Sequence, residues 1–115
     1  MRQQHNFVEL VVACGSWQEA QKIADVLLEK HLVASVEFME IKSKYWWKLQ
    51  LDEANEIKLI MTSVQKHFEA VEKELKKHHS YETFVLQAIP LVQVSEDAAK
   101  WLATSTELRL GKLTL

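Results

Sequence analysis

The chain is 115 residues long, with 48% hydrophobic and 26% charged residues and a formal net charge of −2. This length suits one domain around one core, so we expect a single domain over 1–115, with a core at about 6–105 and a tail at 106–115. Interspersed Lys and Glu argue against a nucleic-acid partner, and no apolar run approaches the roughly 18 residues of a membrane span.

The first half of the chain predicts a strand, a helix and a second strand. Residues 7–13 (FVELVVA) are mostly β-branched or large apolar residues, which is typical of a buried strand. Ser16 followed by Glu19 forms a capping box, and the apolar spacing after it predicts a helix over about 17–30. Residues 33–51 are rich in β-branched and aromatic side chains with partial alternation, which predicts a long strand.

The second half predicts a hairpin, a helix and a final strand. Residues 52–55 (DEAN) have turn chemistry and precede a third strand over 56–62, so an antiparallel hairpin is expected. The apolar face of a second helix is marked by Phe68, Val71, Leu75 and His78. Residues 83–91 predict a fourth strand whose Pro90 indicates an edge or an end, and Ser95 caps a short C-terminal helix.

This order, βαββαβ, predicts an α+β fold. With right-handed crossovers it gives a ferredoxin-like sandwich, a four-stranded antiparallel sheet with helices on one face, followed by a short C-terminal helix. The second sheet face would carry apolar and aromatic side chains. Monomers seldom expose more than about 300 to 600 Å² of contiguous apolar surface, so we expect another subunit to cover it.

Three groups of residues are candidates for a site. Tyr45, Trp46 and Trp47 alternate between sheet faces and suit either packing at a core or interface, or a stacking platform for a ligand. Residues 78–82 (HHSYE) combine two imidazoles, a phenol and a carboxylate. They suit a metal or small-ligand site, because imidazole binds copper, zinc and nickel, or merely a helix end stabilised by His near the helix dipole.

Cys14 follows the first strand and is the only cysteine of the chain. An intrachain disulfide and a zinc cluster of several thiolates from one chain are therefore excluded. Because no apolar run is long enough for a membrane span and the first residues are not followed by the apolar core of a signal peptide, we expect a cytoplasmic protein. The thiol is either a small buried apolar group or a ligand beside the accessible backbone of Gly15.

Three segments in the same order resemble the CutA divalent-cation tolerance family. Residues 19–38 (EAQKIADVLLEKHLVASVEF) are similar to the family's EA-rich helix and the strand after it. Ser43, Tyr45 and Trp47 fit its S-x-Y-x-W pattern, followed by E-x-x-L-I-x-T at 56–62, and residues 78–82 resemble its H-P-Y segment. The resemblance covers about 8–105, and the chain departs from it at Leu49, where the family has Gly.

The resemblance implies a ferredoxin-like subunit of a homotrimer whose sheets meet at the centre. It implies a non-enzymatic role in tolerance of, or response to, divalent metals, copper in particular. The implied metal ligands are His78, His79 and Cys14, with weak binding, and the implied ligand cleft is lined by Tyr45, Trp47, Tyr81 and Glu82. Two alternatives stay open: a PII-like small-molecule sensor or signalling trimer with the same architecture, and a partner-binding trimer without a ligand.

Overall fold

The computed structural model describes residues 6–107, so most of the predicted tail, from 108 onward, lies outside the described residues. The elements in chain order are β1 (Phe7–Cys14), α1 (Trp17–Glu29), β2 (Ser35–Trp47), β3 (Gln50–Val64), a 3₁₀ turn (Gln65–His67), α2 (Phe68–His78), β4 (Gln87–Pro90) and α3 (Glu96–Ser105). Within this described range, no helix is long and apolar enough to cross a membrane.

The strands form one antiparallel sheet in the order β2-β3-β1-β4. This topology confirms the predicted ferredoxin-like sandwich. Alternate residues of each strand point to one face, and α1 and α2 pack on that face through their apolar stripes. The largest fully buried side chains of this core include Leu10, Ile23, Leu27, Leu59, Met61 and Leu75.

The hairpin between β2 and β3 turns earlier than predicted. Lys48 and Leu49 form its two-residue loop with φ of 51° and 69°, and residues 52–55 lie inside β3. Tyr45 pairs with Asp52 and Ser43 with Ala54 in the ladder. The turn prediction at 52–55 was wrong because polar residues are tolerated on the arm of a projecting hairpin, where both faces reach solvent.

The fourth strand is shorter than predicted, since only Gln87–Pro90 pairs with β1. Extension of this ladder would bring residue 85 opposite Ala13. The carbonyl of Ala13 is instead occupied by the His79 ring, with Nε2 at 2.8 Å. Phe84 and Leu86 pack against the core from an irregular segment. The pairing of β1 with β4 therefore ends where the His79 side chain occupies the carbonyl oxygen of β1.

The second sheet face is covered only at one end. There α3 contributes Leu102 to a small buried cluster with Phe7 and Val64. Toward the hairpin, Met39 and Tyr45 stay 50% and 38% exposed on this face. We call this uncovered part the open face. The predicted uncovered apolar face is thus present only in the half of the sheet nearer the β2–β3 hairpin, because α3 covers the other half.

Candidate metal site and adjoining groove

A cluster of three ligand-type side chains forms where β1 meets α1. Cys14 is the last residue of β1, and Glu19 lies in the first turn of α1. Ser16 is the N-cap and accepts a hydrogen bond from the Glu19 backbone N–H at 3.2 Å, which confirms half of the predicted capping box. His79 comes from a different element, directly after the end of α2. The fold therefore brings together residues that are distant in sequence.

The hydrogen bonds of His79 fix its tautomer. Its side chain is 0% exposed, and Nε2 lies 2.8 Å from the Ala13 carbonyl oxygen. Because a carbonyl oxygen can only accept, Nε2 carries the proton. The backbone N–H of Tyr81 donates to Nδ1 at 3.1 Å, so Nδ1 presents its lone pair.

Glu19 faces that same lone pair. Its Oε2 lies 3.2 Å from His79 Nδ1, yet among the described residues this buried oxygen has no hydrogen-bond partner. A carboxylate oxygen and an unprotonated ring nitrogen are both acceptors, and their approach in a buried place is unfavourable. A cation between the two atoms removes this conflict.

Cys14 completes the cluster. The ligand atoms of Cys14, Glu19 and His79 all lie within 4.8 Å of one another. Burial, with smaller contributions from the negative charges of Glu19 and Glu56, raises the pKa of the Cys14 thiol to about 12. N, O and S ligands of a tetrahedral zinc ion stand roughly 3.3 to 3.6 Å apart, so the cluster would have to contract for all three residues to bind such an ion. The three residues fit one divalent cation and leave a fourth position to another ligand.

His78, a predicted ligand, is not brought into this cluster. It is the last residue of α2, and its Nε2 lies 3.8 Å from Glu74 Oε1. Glu74 also accepts hydrogen bonds from Lys30 at 2.8 Å and Lys77 at 3.2 Å, and the Lys30 bond is the main cause of its lowered pKa. His78 thus borders an ion-pair network between α1 and α2. Glu19, which the sequence presented only as a capping residue, occupies the third position in the cluster.

A groove of about 890 Å³ opens beside the cluster on the open face, and the predicted residues Tyr45, Trp47, Tyr81 and Glu82 all line it. Glu56 lies at its floor and is only 6% exposed. The Ser43 hydroxyl donates to Glu56 Oε1 at 2.5 Å, and the Tyr81 hydroxyl donates to Oε2 at 2.6 Å. Burial, helped by this bond, raises the pKa of Tyr81.

Two of the groove residues have different surroundings. The Glu82 side chain is 73% exposed, and Lys48 Nζ lies 3.9 Å from its Oε1. Tyr81 is close to the metal-ligand cluster, because its ring lies 4.7 Å from the His79 ring between centroids. A Cβ on Gly15 would lie 3.2 Å from Tyr81 Cε1, so the absent side chain at Gly15 is what lets the phenol pack here. Tyr81 therefore connects the cluster and the groove.

Comparison with known proteins identifies the family. The family model described as CutA1 divalent ion tolerance protein matches residues 8–105. A divalent-cation tolerance protein CutA of Archaeoglobus fulgidus is 35% identical over 103 residues, covering 90% of this chain and 99% of the relative. One of Escherichia coli O139:H28 is 30% identical over 103 residues, covering 87% and 92%.

Solved structures agree with this result. The structure described as periplasmic divalent cation tolerance protein CutA from Archaeoglobus fulgidus has a TM-score of 0.86 at 33% identity, covering 88% of this chain and 99% of that chain. CutA1 from Pyrococcus horikoshii has a TM-score of 0.82 at 25% identity, covering 87% and 98%. These relatives lend the PII-like alternative no support. The resemblance seen in the sequence is confirmed, and the chain belongs to the CutA divalent-cation tolerance family.

Proposed function

We propose that this protein binds a divalent cation through Cys14, Glu19 and His79 as its part in divalent-cation tolerance or response. The observation that carries the proposal is the buried, unpartnered Glu19 Oε2 at 3.2 Å from His79 Nδ1, beside the Cys14 thiol. A cation there would offset the repulsion between two acceptors and would allow the thiol to ionise.

The donor set supports a late first-row metal. Imidazole nitrogen with one thiolate and one carboxylate suits zinc(II) and copper(II), and copper(II) leads the general affinity order. Bound at this position, the cation would act as a Lewis acid with one coordination site left open. A closed structural zinc site normally uses four protein ligands, so this set of three does not form such a site. We propose a binding role without catalysis, and the cytoplasmic location stays a prediction.

We further propose that the protein works as a homotrimer. The support is the open face, where apolar side chains remain exposed, together with the outer edge of β2. That edge runs over Ser35–Trp47 and has no paired strand within residues 6–107. A long unpaired edge strand favours pairing with another chain. Other copies of the subunit would supply both the missing strand and the cover.

Calorimetric titration with zinc(II) tests the metal site. Glu19→Gln keeps the side-chain shape but removes the charge, and His79→Ala removes the nitrogen. Each should weaken binding by about tenfold or more, as is usual when a ligand is lost or neutralised. His78→Ala is the matched control, because it removes the neighbouring imidazole, and its zinc affinity should stay near that of the unchanged protein.

Melting temperatures recorded beside each titration identify variants that fail to fold. If Glu19→Gln and His79→Ala fold and bind zinc as well as the unchanged protein, the proposed cluster is not the site. If His78→Ala instead loses the affinity, the ligand set implied by the sequence resemblance is the better one.

A further inference from the structure

The lone pair that a metal would need on His79 is already in use. Nε2 is held by the Ala13 carbonyl in the sheet, so Nδ1, which lies 3.2 Å from Glu19 Oε2, is the nitrogen left for a metal. Nδ1 accepts the backbone N–H of Tyr81 at 3.1 Å. An imidazole nitrogen has one lone pair in the ring plane, so a metal ion and this N–H compete for it. Binding of a cation therefore requires the Tyr81 backbone to move away from His79.

Tyr81 is not free to move independently, because its other end is tied to the groove. Its hydroxyl donates to Glu56 Oε2 at 2.6 Å, and Glu56 is in turn held by the Ser43 hydroxyl. Hydrogen bonds to an ionised carboxylate are short and about twice as strong as neutral ones. Glu56 and Tyr81 both line the groove on the open face. A shift of Tyr81 therefore strains or breaks a bond at the groove floor.

We propose that Tyr81 is a positioning residue that couples metal binding at His79 to the Glu56 floor of the groove, through the chain Ser43, Glu56 and Tyr81. This inference rests on the metal site proposed above and adds its regulation. Coupling between two sites is reciprocal, so whatever stabilises the Tyr81–Glu56 bond weakens metal binding, and metal binding loosens that bond. A ligand or second subunit that occupies the open face would then alter metal affinity without touching the metal.

Amide hydrogen exchange of the unchanged protein gives the first test. Zinc(II) at saturating concentration should speed exchange at the Tyr81 amide by about tenfold or more, because this N–H loses its acceptor and its protection. The Leu10 and Leu59 amides in the central strands serve as internal references and should not exchange faster. This measurement requires no substitution.

Zinc affinity of Tyr81→Phe gives the second test. The variant keeps the ring and the backbone but lacks the hydroxyl that donates to Glu56. Tyr81 then leaves His79 more easily, and zinc should bind about threefold to tenfold more tightly. Ser35→Ala is the control, since it removes a hydroxyl that hydrogen-bonds to Thr62 outside the groove and should leave zinc affinity unchanged. If Tyr81→Phe does not fold, the amide-exchange measurement alone decides the coupling.

The outcomes separate the two proposals. If zinc binds and depends on Glu19 and His79, but Tyr81 exchange is unchanged and Tyr81→Phe behaves like Ser35→Ala, the coupling is refuted and the metal site stands. If zinc does not bind at all, both proposals fail. Faster exchange at Tyr81 together with tighter binding by Tyr81→Phe supports the coupling.

Discussion

At the scale of single residues, the cluster at the end of β1 combines groups that do not satisfy one another. Cys14 holds its proton because its thiol is buried near two carboxylates. Glu19 brings a buried oxygen to within 3.2 Å of a ring nitrogen that has no proton to give. The approach of two buried acceptors costs stability in a folded protein. Together the three side chains form a set of metal-ligating atoms that a bound cation would stabilise.

The pH dependence of zinc affinity follows from Cys14. Because burial raises the pKa of its thiol to about 12, zinc(II) must displace this proton at any neutral pH. Affinity should therefore rise with pH, by up to about tenfold per pH unit from this proton, between roughly pH 6.5 and 8.5. Titrations in several buffers at each pH measure both the affinity and the proton release.

Cys14→Ser provides the comparison for this prediction. The variant should bind more weakly and should lose the part of the slope that belongs to the thiol proton. A wild-type affinity that is flat across this range would show that Cys14 does not ligate the ion.

Sequence reasoning found part of this cluster, and the reason is local geometry. Cys14 and His79 were identified, but Glu19 fitted a capping box, and its side chain instead turns inward. His78 and His79 are indistinguishable in the sequence, yet α2 ends between them. His79 is the C-cap, and its ψ of 138° turns the chain after it out of the helix. The His79 ring contacts the Ala13 carbonyl, whereas His78 stays beside Glu74. The different positions of the two imidazoles depend on the residue at which α2 ends. Residue types alone do not predict the last residue of a helix to within one position.

At the scale of elements, the β2–β3 hairpin carries an unusual turn. Lys48 and Leu49 both adopt positive φ, a conformation that disfavours residues with a Cβ and favours Asn-Gly sequences. The sequence placed the turn at 52–55 because those residue types are common in turns. The family usually has Gly at the position of Leu49, and Gly favours the positive φ of a tight turn. That position was therefore the sequence signal for the observed turn.

Leu49→Gly should stabilise the protein. Leu49 is 96% exposed with φ of 69°, so the change relieves the backbone without removing contacts. The gain should be about 0.5 to 1 kcal/mol in the free energy of unfolding, measured by chemical denaturation at equal protein concentration. Leu49→Ala keeps the Cβ and should change little. A Leu49→Gly protein no more stable than Leu49→Ala would contradict the assigned turn.

The element order was predictable because each half of the chain alternates clear strand and helix patterns. The length of β4 was not, since residues 83–86 have strand-like composition. Their pairing was prevented by a contact from His79, a residue of another element. The local sequence pattern predicts that a strand forms, but tertiary contacts of this kind determine the residue at which it ends.

At the scale of the whole molecule, the exposed apolar side chains of the open face lead us to expect that subunits associate. Sedimentation equilibrium at micromolar concentration should give the mass of a trimer. Met39→Lys places a second ammonium opposite Lys58 on the open face, so it should shift the protein toward monomers. Leu28→Lys, on the exposed side of α1, is the control and should remain trimeric. A monomeric wild-type protein, or a Met39→Lys protein that is still trimeric, would speak against burial of this face between subunits.

The metal cluster itself can be examined most directly by anomalous diffraction from crystals soaked in zinc(II), recorded above and below the zinc absorption edge. The proposal predicts a peak bonded to Cys14 Sγ, a Glu19 carboxylate oxygen and His79 Nδ1, at about 2.0 to 2.3 Å from each. Accompanying density should show the Tyr81 backbone displaced from His79. Anomalous peaks only at His78 or at other surface residues, with the cluster unoccupied at saturating zinc, would contradict the assignment.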